Sequence, residues 1–296
     1  MNKCTKCGVE APDDSKFCQN CGNVIEPQKK SIFRRLWGVI NYFLLYIGLQ
    51  ILIMGIATIV LAVIGEAGDI DFDSIIENDG FTSLILLISA AAALFVMWFT
   101  AGKEWKATGF WDIRRSAPVI LLICVCLGLC MSFFVNAVIG SLVTLASESD
   151  GVPASFNTDL GNPFIAFLSL NIAVPVIEEV VFRGYMLRRL KEMKLNTAVA
   201  LIIQAIVFML VHLDGVAMVY SLPLGIIFGI IYLWFGSIWA SIAAHIAFNS
   251  FSDLFAIVFN ANNEVASAGI WALCSLLGLA LTIVLMIVLK RKRNRL

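Results

Sequence analysis

The chain has 296 residues, of which 60% are hydrophobic and 14% charged, with 21 Lys and Arg matched by 21 Asp and Glu. Such a composition lies far outside that of soluble domains and points to an integral membrane protein. The net charge of zero hides a strong asymmetry along the chain and gives no sign of a nucleic-acid partner.

The chain opens on CTKCGVEAPDDSKFCQNCG, polar and Cys-rich rather than apolar as a cleavable signal would be. Cys4, Cys7, Cys18 and Cys21 form two CxxCG knuckles, which together can supply four thiolates to one tetrahedral Zn2+. A disulfide reading needs an oxidising compartment, whereas the charge pattern places this segment in the cytosol. A module of this size builds no hydrophobic core, so the metal is expected to supply its folding energy, and its expected role is structural or partner-binding. It resembles the short zinc ribbons that begin many prokaryotic membrane proteins. The expected organisation is a ribbon over residues 1–25, a basic linker over 26–35, a transmembrane domain over 36–289 and a basic tail over 290–296.

Uncharged stretches long enough for about 30 Å of hydrocarbon occur at Leu36 to Gly65, Phe81 to Gly102, Ser116 to Ser147, Leu195 to Leu213 and Val265 to Leu289. The run containing VPVIEEVVFRGYMLRRL, from Val174 to Leu190, adds another. The segment from Gly215 to Ser252 is long enough for two helices, with a break at Phe235 to Ser237. The expected fold is therefore an all-α polytopic membrane protein of about eight transmembrane helices, plus the Cys4 ribbon. The remaining cysteines, Cys124, Cys126, Cys130 and Cys274, lie in apolar spans and read as small buried hydrophobes.

Basic residues fix the expected orientation. Of the 21 Lys and Arg, seven precede the first span, four lie between Lys103 and Arg115, four between Arg188 and Lys194, and five in the tail, leaving only Arg183. The alternate connections, Glu66 to Gly80, Ser147 to Gly161, the turn at Asp214 and Asn260 to Glu264, carry acids and no base. Both termini are expected in the cytosol.

Charges inside a span are costly and mark function by default. Glu179 and Arg183, four residues apart, can pair on one helix face, which leaves Glu178, about 100° around the helix, to point elsewhere. The chain has two histidines, His212 and His245, both within expected spans, and Asn249 stands one helical turn after His245. Each has a plain structural reading as ion pair, carbonyl-bonded histidine or interhelical amide. Together a free carboxylate, two histidines and an amide provide a general base, a proton relay and an oxyanion donor.

The strings EEVVFR, FMLVH and HIAFN resemble the EExxxR, FxxxH and HxxxN motifs of the CAAX protease and bacteriocin-processing enzyme (CPBP, Abi) family of intramembrane peptidases, in the family's order and over a core of about residues 116–257. The resemblance implies water activation by Glu178 and His212, oxyanion stabilisation by His245 and Asn249, and supporting positions for Glu179 and Arg183. It further implies an endopeptidase acting on a membrane-associated or lipid-anchored peptide or protein, in a prokaryotic plasma membrane, with the cut expected near the cytosolic face. Two His and a Glu are also ligands that Zn2+ accepts, so active-site metal use stays open, with metal-free chemistry favoured because Asn249 is a poor zinc ligand. The rival readings are a non-enzymatic regulator or scaffold binding a sensor kinase or transporter, and a proton-relay transporter, for which no broken-helix repeat is evident. Counting about 1.5 Å per residue from the basic flanks places Glu178 near ~15 Å, His245 near ~12 Å and His212 near ~24 Å, which makes His212 deeper than its partners by a turn or two.

Overall fold

The computed structural model describes residues 2–4, 6–11, 15–24, 31–68, 79–150, 162–213, 215–262 and 268–294. The chain separates into two compact units, Met1–Gly38 and Val39–Leu296. In the first, β1 (Asn2–Lys3) pairs antiparallel with β2 (Glu10–Ala11). The two knuckles repeat one backbone pattern: Gly8 N–H donates to Cys4 O and Gly22 N–H to Cys18 O, at 2.9 and 2.8 Å.

Eight helices follow among the described residues: α1 (Ile32–Gly68), α2 (Asp79–Thr108), α3 (Pro118–Asp150), α4 (Pro163–Glu192), α5 (Thr197–Leu210), α6 (Gly215–Phe235), α7 (Ile238–Asn262) and α8 (Ala268–Arg293). Six of them, α1 to α4, α6 and α8, are long and apolar enough to cross a membrane. Helix α5 is shorter, and α7 carries His245, Asn249 and Asp253 at four-residue intervals. The break expected at Phe235 to Ser237 is where α6 ends and α7 begins. Of the acid-bearing connections, 69–78, 151–161, Asp214 and 263–267 lie outside the described residues, as do 25–30 of the expected linker.

Caps set the helix starts around the polar motifs. Asn162 accepts at Oδ1 from Phe164 and Ile165 N–H, with Pro163 in the first turn, where its missing N–H costs nothing. Asn196 caps α5 by accepting from Ala198 N–H at 2.8 Å. Within α4 the backbone widens to π-helical turns over Phe167–Ala173 and Val180–Leu187, which flank the α-helical Val174–Glu179. Pro175 lacks the N–H that would close an ordinary turn there, and Val174 N–H reaches back to Ser169 O. The adjacent Glu178 and Glu179 therefore sit between two wide turns, a local geometry that recurs at functional sites.

Helix α4 runs through the core, with all eight residues from Val180 to Leu187 buried. Small residues let α7 approach α3 closely: a Cβ at Gly128 would overlap the Ala244 carbonyl oxygen and come within 2.9 Å of Ala247 Cβ. Because the obstacle is backbone, a side chain cannot be accommodated by a rotamer change. Gly128→Ala is expected to lower stability by about 1–3 kcal/mol through overpacking, read as a lower unfolding midpoint in detergent. An unchanged midpoint would mean that the two helices do not meet this closely.

Candidate active site

Glu179 is fully enclosed, with its carboxylate buried. The Arg183 guanidinium donates from Nη1 to Glu179 Oε1 at 2.8 Å and from Nη2 to Gly225 O on α6 at 3.3 Å. Its charged plane lies 4.5 Å from the Phe208 ring centroid and 5.4 Å from that of Phe228. A buried cation thus has an anion in front and aromatic faces around it, the arrangement that makes burial of a guanidinium tolerable.

The same carboxylate oxygen reaches a second helix. His245 Nδ1 lies 2.9 Å from Glu179 Oε1, so in donating there it turns Nε2 toward Glu178, whose Oε2 is 3.7 Å away. The sequence pattern pairs Glu179 with Arg183 alone; its bond to His245, 66 residues on, is a contact that spacing within one helix does not reveal. A carboxylate holding one ring nitrogen fixes both the orientation and the hydrogen-bonding role of the other.

Glu178 points away from the pair, as helix geometry requires, and is 8% exposed. It lines a cavity of about 240 Å3 together with His212, His245 and Asn249. All four residues assigned to chemistry in the sequence line this one cavity, while Glu179 and Arg183 stand behind it. His212 lies just beyond the end of α5, with Nδ1 2.8 Å from Phe208 O and its ring 4.8 Å from the Phe208 ring. Phe208 therefore touches Arg183, His212 and His245 at once. Asn249 donates from Nδ2 to Leu170 O at 2.8 Å, which fixes the amide across α4 and α7.

One turn further along α7 lie polar groups beyond the four residues expected from the sequence. Asp253 accepts at Oδ2 from Asn171 Nδ2 at 2.6 Å, and Ser252 Oγ lies 2.6 Å from Ser132 Oγ and accepts from Asn136 Nδ2 at 3.0 Å. Asp253 and Ser252 line the same cavity. The signal was present, since Asp253 continues the four-residue spacing of His245 and Asn249.

In the ribbon, the sulfur atoms of Cys4, Cys7, Cys18 and Cys21 all lie within 4.8 Å of one another. Cys4 Sγ is 3.5 Å from Cys21 Sγ, and Cys7 Sγ is 3.4 Å from Cys18 Sγ. Tetrahedral Zn–S bonds of about 2.3 Å need S···S separations near ~3.8 Å, so the four thiols fit the ion. The backbone amide of Val9, with the neighbouring Cys18 thiol, holds the Cys7 thiol below its ordinary range, at about 6. Among the described residues this is the one group of three or more His, Cys, Asp or Glu side chains whose ligand atoms converge in this way.

Comparison with known proteins agrees with the geometry. Residues 160–251, which contain all three motifs, match the family model described as type II CAAX prenyl endopeptidase Rce1-like, and residues 3–25 match the zinc-ribbon domain. The curated "Putative membrane peptidase YdiL" of Bacillus subtilis (strain 168) is 25% identical over 183 residues, spanning 60% of this chain and 72% of that protein. No solved structure matches the chain. The chain is an integral membrane protein whose residues 160–251 are similar to the CAAX endopeptidase model and whose N-terminal segment is similar to zinc ribbons, and its likeness to a membrane peptidase supports a hydrolase.

The two neighbouring carboxylates are expected to differ on substitution. Glu179→Gln leaves Arg183 buried without its anion, a loss of about 3–5 kcal/mol, whereas Glu178→Gln leaves the fold intact. Adding Arg183→Gln to Glu179→Gln is expected to recover part of that stability. Equal unfolding midpoints for the two single variants would contradict the division between them.

Proposed function

We propose that the protein is an intramembrane endopeptidase that hydrolyses a peptide bond of a membrane-associated or lipid-anchored peptide or protein. The observation that carries the reading is the convergence of Glu178, His212, His245 and Asn249 on one cavity inside the bundle. Glu178 takes a proton from a water, and His212, whose Nδ1 is occupied by the Phe208 carbonyl, shares in that activation through Nε2. The water oxygen adds to the carbonyl carbon, and the tetrahedral oxyanion is met by the free Asn249 N–H and, in the imidazolium form, by His245 Nε2–H. The proton taken by Glu178 then passes to the departing amine as the C–N bond breaks. Glu179 touches none of the reacting atoms in this scheme; it positions His245 and neutralises Arg183.

Metal-free chemistry is the favoured form. Asn249 is suited to donate to an oxyanion rather than to bind zinc, and both histidines have Nδ1 engaged with protein oxygens. Zinc belongs to the ribbon, where we place one ion on Cys4, Cys7, Cys18 and Cys21, in a module that serves structure or partner binding rather than catalysis. The termini lie in the cytosol, and the membrane is the plasma membrane of a prokaryote. Purified protein is expected to hold one Zn2+, lost when Cys4 and Cys7 are both replaced by Ser, with peptidase activity in detergent largely retained. A well-folded but inactive ribbon variant would mean that the two sites are not separate.

Removal of one oxyanion donor costs about 10²-fold to 10³-fold in rate, so Asn249→Ala is expected to turn over slowly, while Glu178→Gln and His212→Ala leave essentially no cleavage. Each variant, expressed at matched membrane levels, is scored for substrate cleavage and for the cellular phenotype. A phenotype unchanged when Glu178 and His212 are both replaced would transfer the function to a regulator or scaffold that binds a sensor kinase or transporter.

A further inference from the structure

The bundle has two chemically different ends. Arg188 and Arg189 on α4 both bond Glu104 near the end of α2, and Lys191 donates to Thr197 Oγ1 at the start of α5. Trp239 at the start of α7 donates to Trp111 O at 2.9 Å, and Arg293 near the end of α8 lies 5.8 Å over the Trp234 ring of α6. These contacts gather the ends of α2, α4, α6 and α8 and the starts of α5 and α7 on one face. Every Lys and Arg of the described membrane unit except Arg183 belongs to these helix ends and the connections between them.

The cavity is closed toward that face. Beyond Glu178 in that direction come the buried residues Val180 to Leu187, and the Phe110 ring fills the place that a side chain at Gly184 would occupy. Trp105, Phe110, Trp111 and Trp239 extend this plug as successive ring contacts of 5.5, 5.0 and 5.6 Å. In the opposite direction the lining becomes exposed: Leu170, Val174, His212, Tyr220, Asn249 and Asp253 are each partly accessible. At about 1.5 Å per residue, Leu170 and Asp253 lie ~12 Å beyond Glu178 and His245 on their helices, away from the basic face. Leu213, next to His212, is 92% exposed.

We propose that the cavity opens on the extracytoplasmic side of the membrane and receives peptide segments presented there. Basic connections stay in the cytosol, so the plugged end faces inward and the open end outward. A cut reached from outside differs from the cut near the cytosolic face expected from the sequence. His212, too deep when counted from the basic flanks, is then among the residues nearest the mouth. The substrate half of this inference rests on the peptidase reading; the direction of opening does not.

The test is labelling of single-cysteine variants of the full-length protein in native membranes with a membrane-impermeant thiol reagent, the modified peptide being located by mass spectrometry. Leu170→Cys and Asp253→Cys report the cavity, and Ala107→Cys, on an exposed residue beside Lys106, reports the basic face. In right-side-out vesicles the two cavity cysteines are expected to react and Ala107→Cys to be protected; inverted vesicles are expected to reverse the pattern. The pattern is expected to persist with Glu178→Gln added, because it needs no turnover. Reaction of a cavity cysteine from the same side as Ala107→Cys would overturn the opposed geometry, and reaction of the cavity from the cytosolic side alone would overturn the outward opening. Protection of both cavity cysteines from both sides would overturn an open cavity altogether. Outward labelling in a protein that cleaves nothing would leave the opening intact and remove the peptidase reading instead.

Discussion

A single carboxylate oxygen organises the membrane unit. Glu179 Oε1 accepts from Arg183 on its own helix and from His245 on α7, and Arg183 in turn bonds Gly225 O on α6 and lies against Phe208 of α5. Four helices thus meet around one buried ion pair. Desolvating two charges brings little net stability, but removing either leaves the other unpaired in a low-dielectric interior, so the pair fixes which arrangement of helices is allowed. The arrangement it fixes is the one that turns His245 Nε2 into the cavity.

Adjacent placement of two acids on one helix separates what they do. Glu179 is held by Arg183 on its own helix and by His245 on α7 and does not line the cavity, whereas Glu178, about 100° away, meets the cavity and the more distant His245 Nε2. A carboxylate already committed to a cation is a poor base, and one left uncommitted in a cavity is available to take a proton. The wide turns on either side of Val174–Glu179 hold this short segment in the packed core without requiring the rest of α4 to keep its register.

How much of this could be read beforehand follows from the range of each interaction. The eight helices and the break between α6 and α7 were legible, because apolar length and turn residues are local properties. The Glu179–Arg183 pair and the alignment of His245 with Asn249 were legible as four-residue spacings. The bond from Glu179 to His245, the anchoring of Asn249 on Leu170 O and the Asn171–Asp253 bond were not, since they join helices 66 to 82 residues apart in sequence. Nor were the π turns of α4, where Pro175 signals a disturbance but not the form it takes. Asp253 could have been found by extending the spacing of His245 and Asn249 one turn further.

The distribution of polar groups gives the cavity a direction as well as a composition. Along α7 the sequence of side chains is Ser241, His245, Asn249 and Asp253, of which the first two are buried and the last two partly exposed. On α4 the same gradient runs in reverse, from Leu170 and Val174 down to the sealed Glu179 and Arg183. Antiparallel helices with opposed gradients enclose a funnel whose narrow end is the ion pair. Asp253 and Asn249 line the more exposed end of the cavity and Glu178 its buried end, and beyond Arg183 the aromatic contacts fill the bundle. The buried charge pair at the base of the funnel therefore has two physical consequences at once: it orients the histidine beside it, and it forms the closed end of the polar lining.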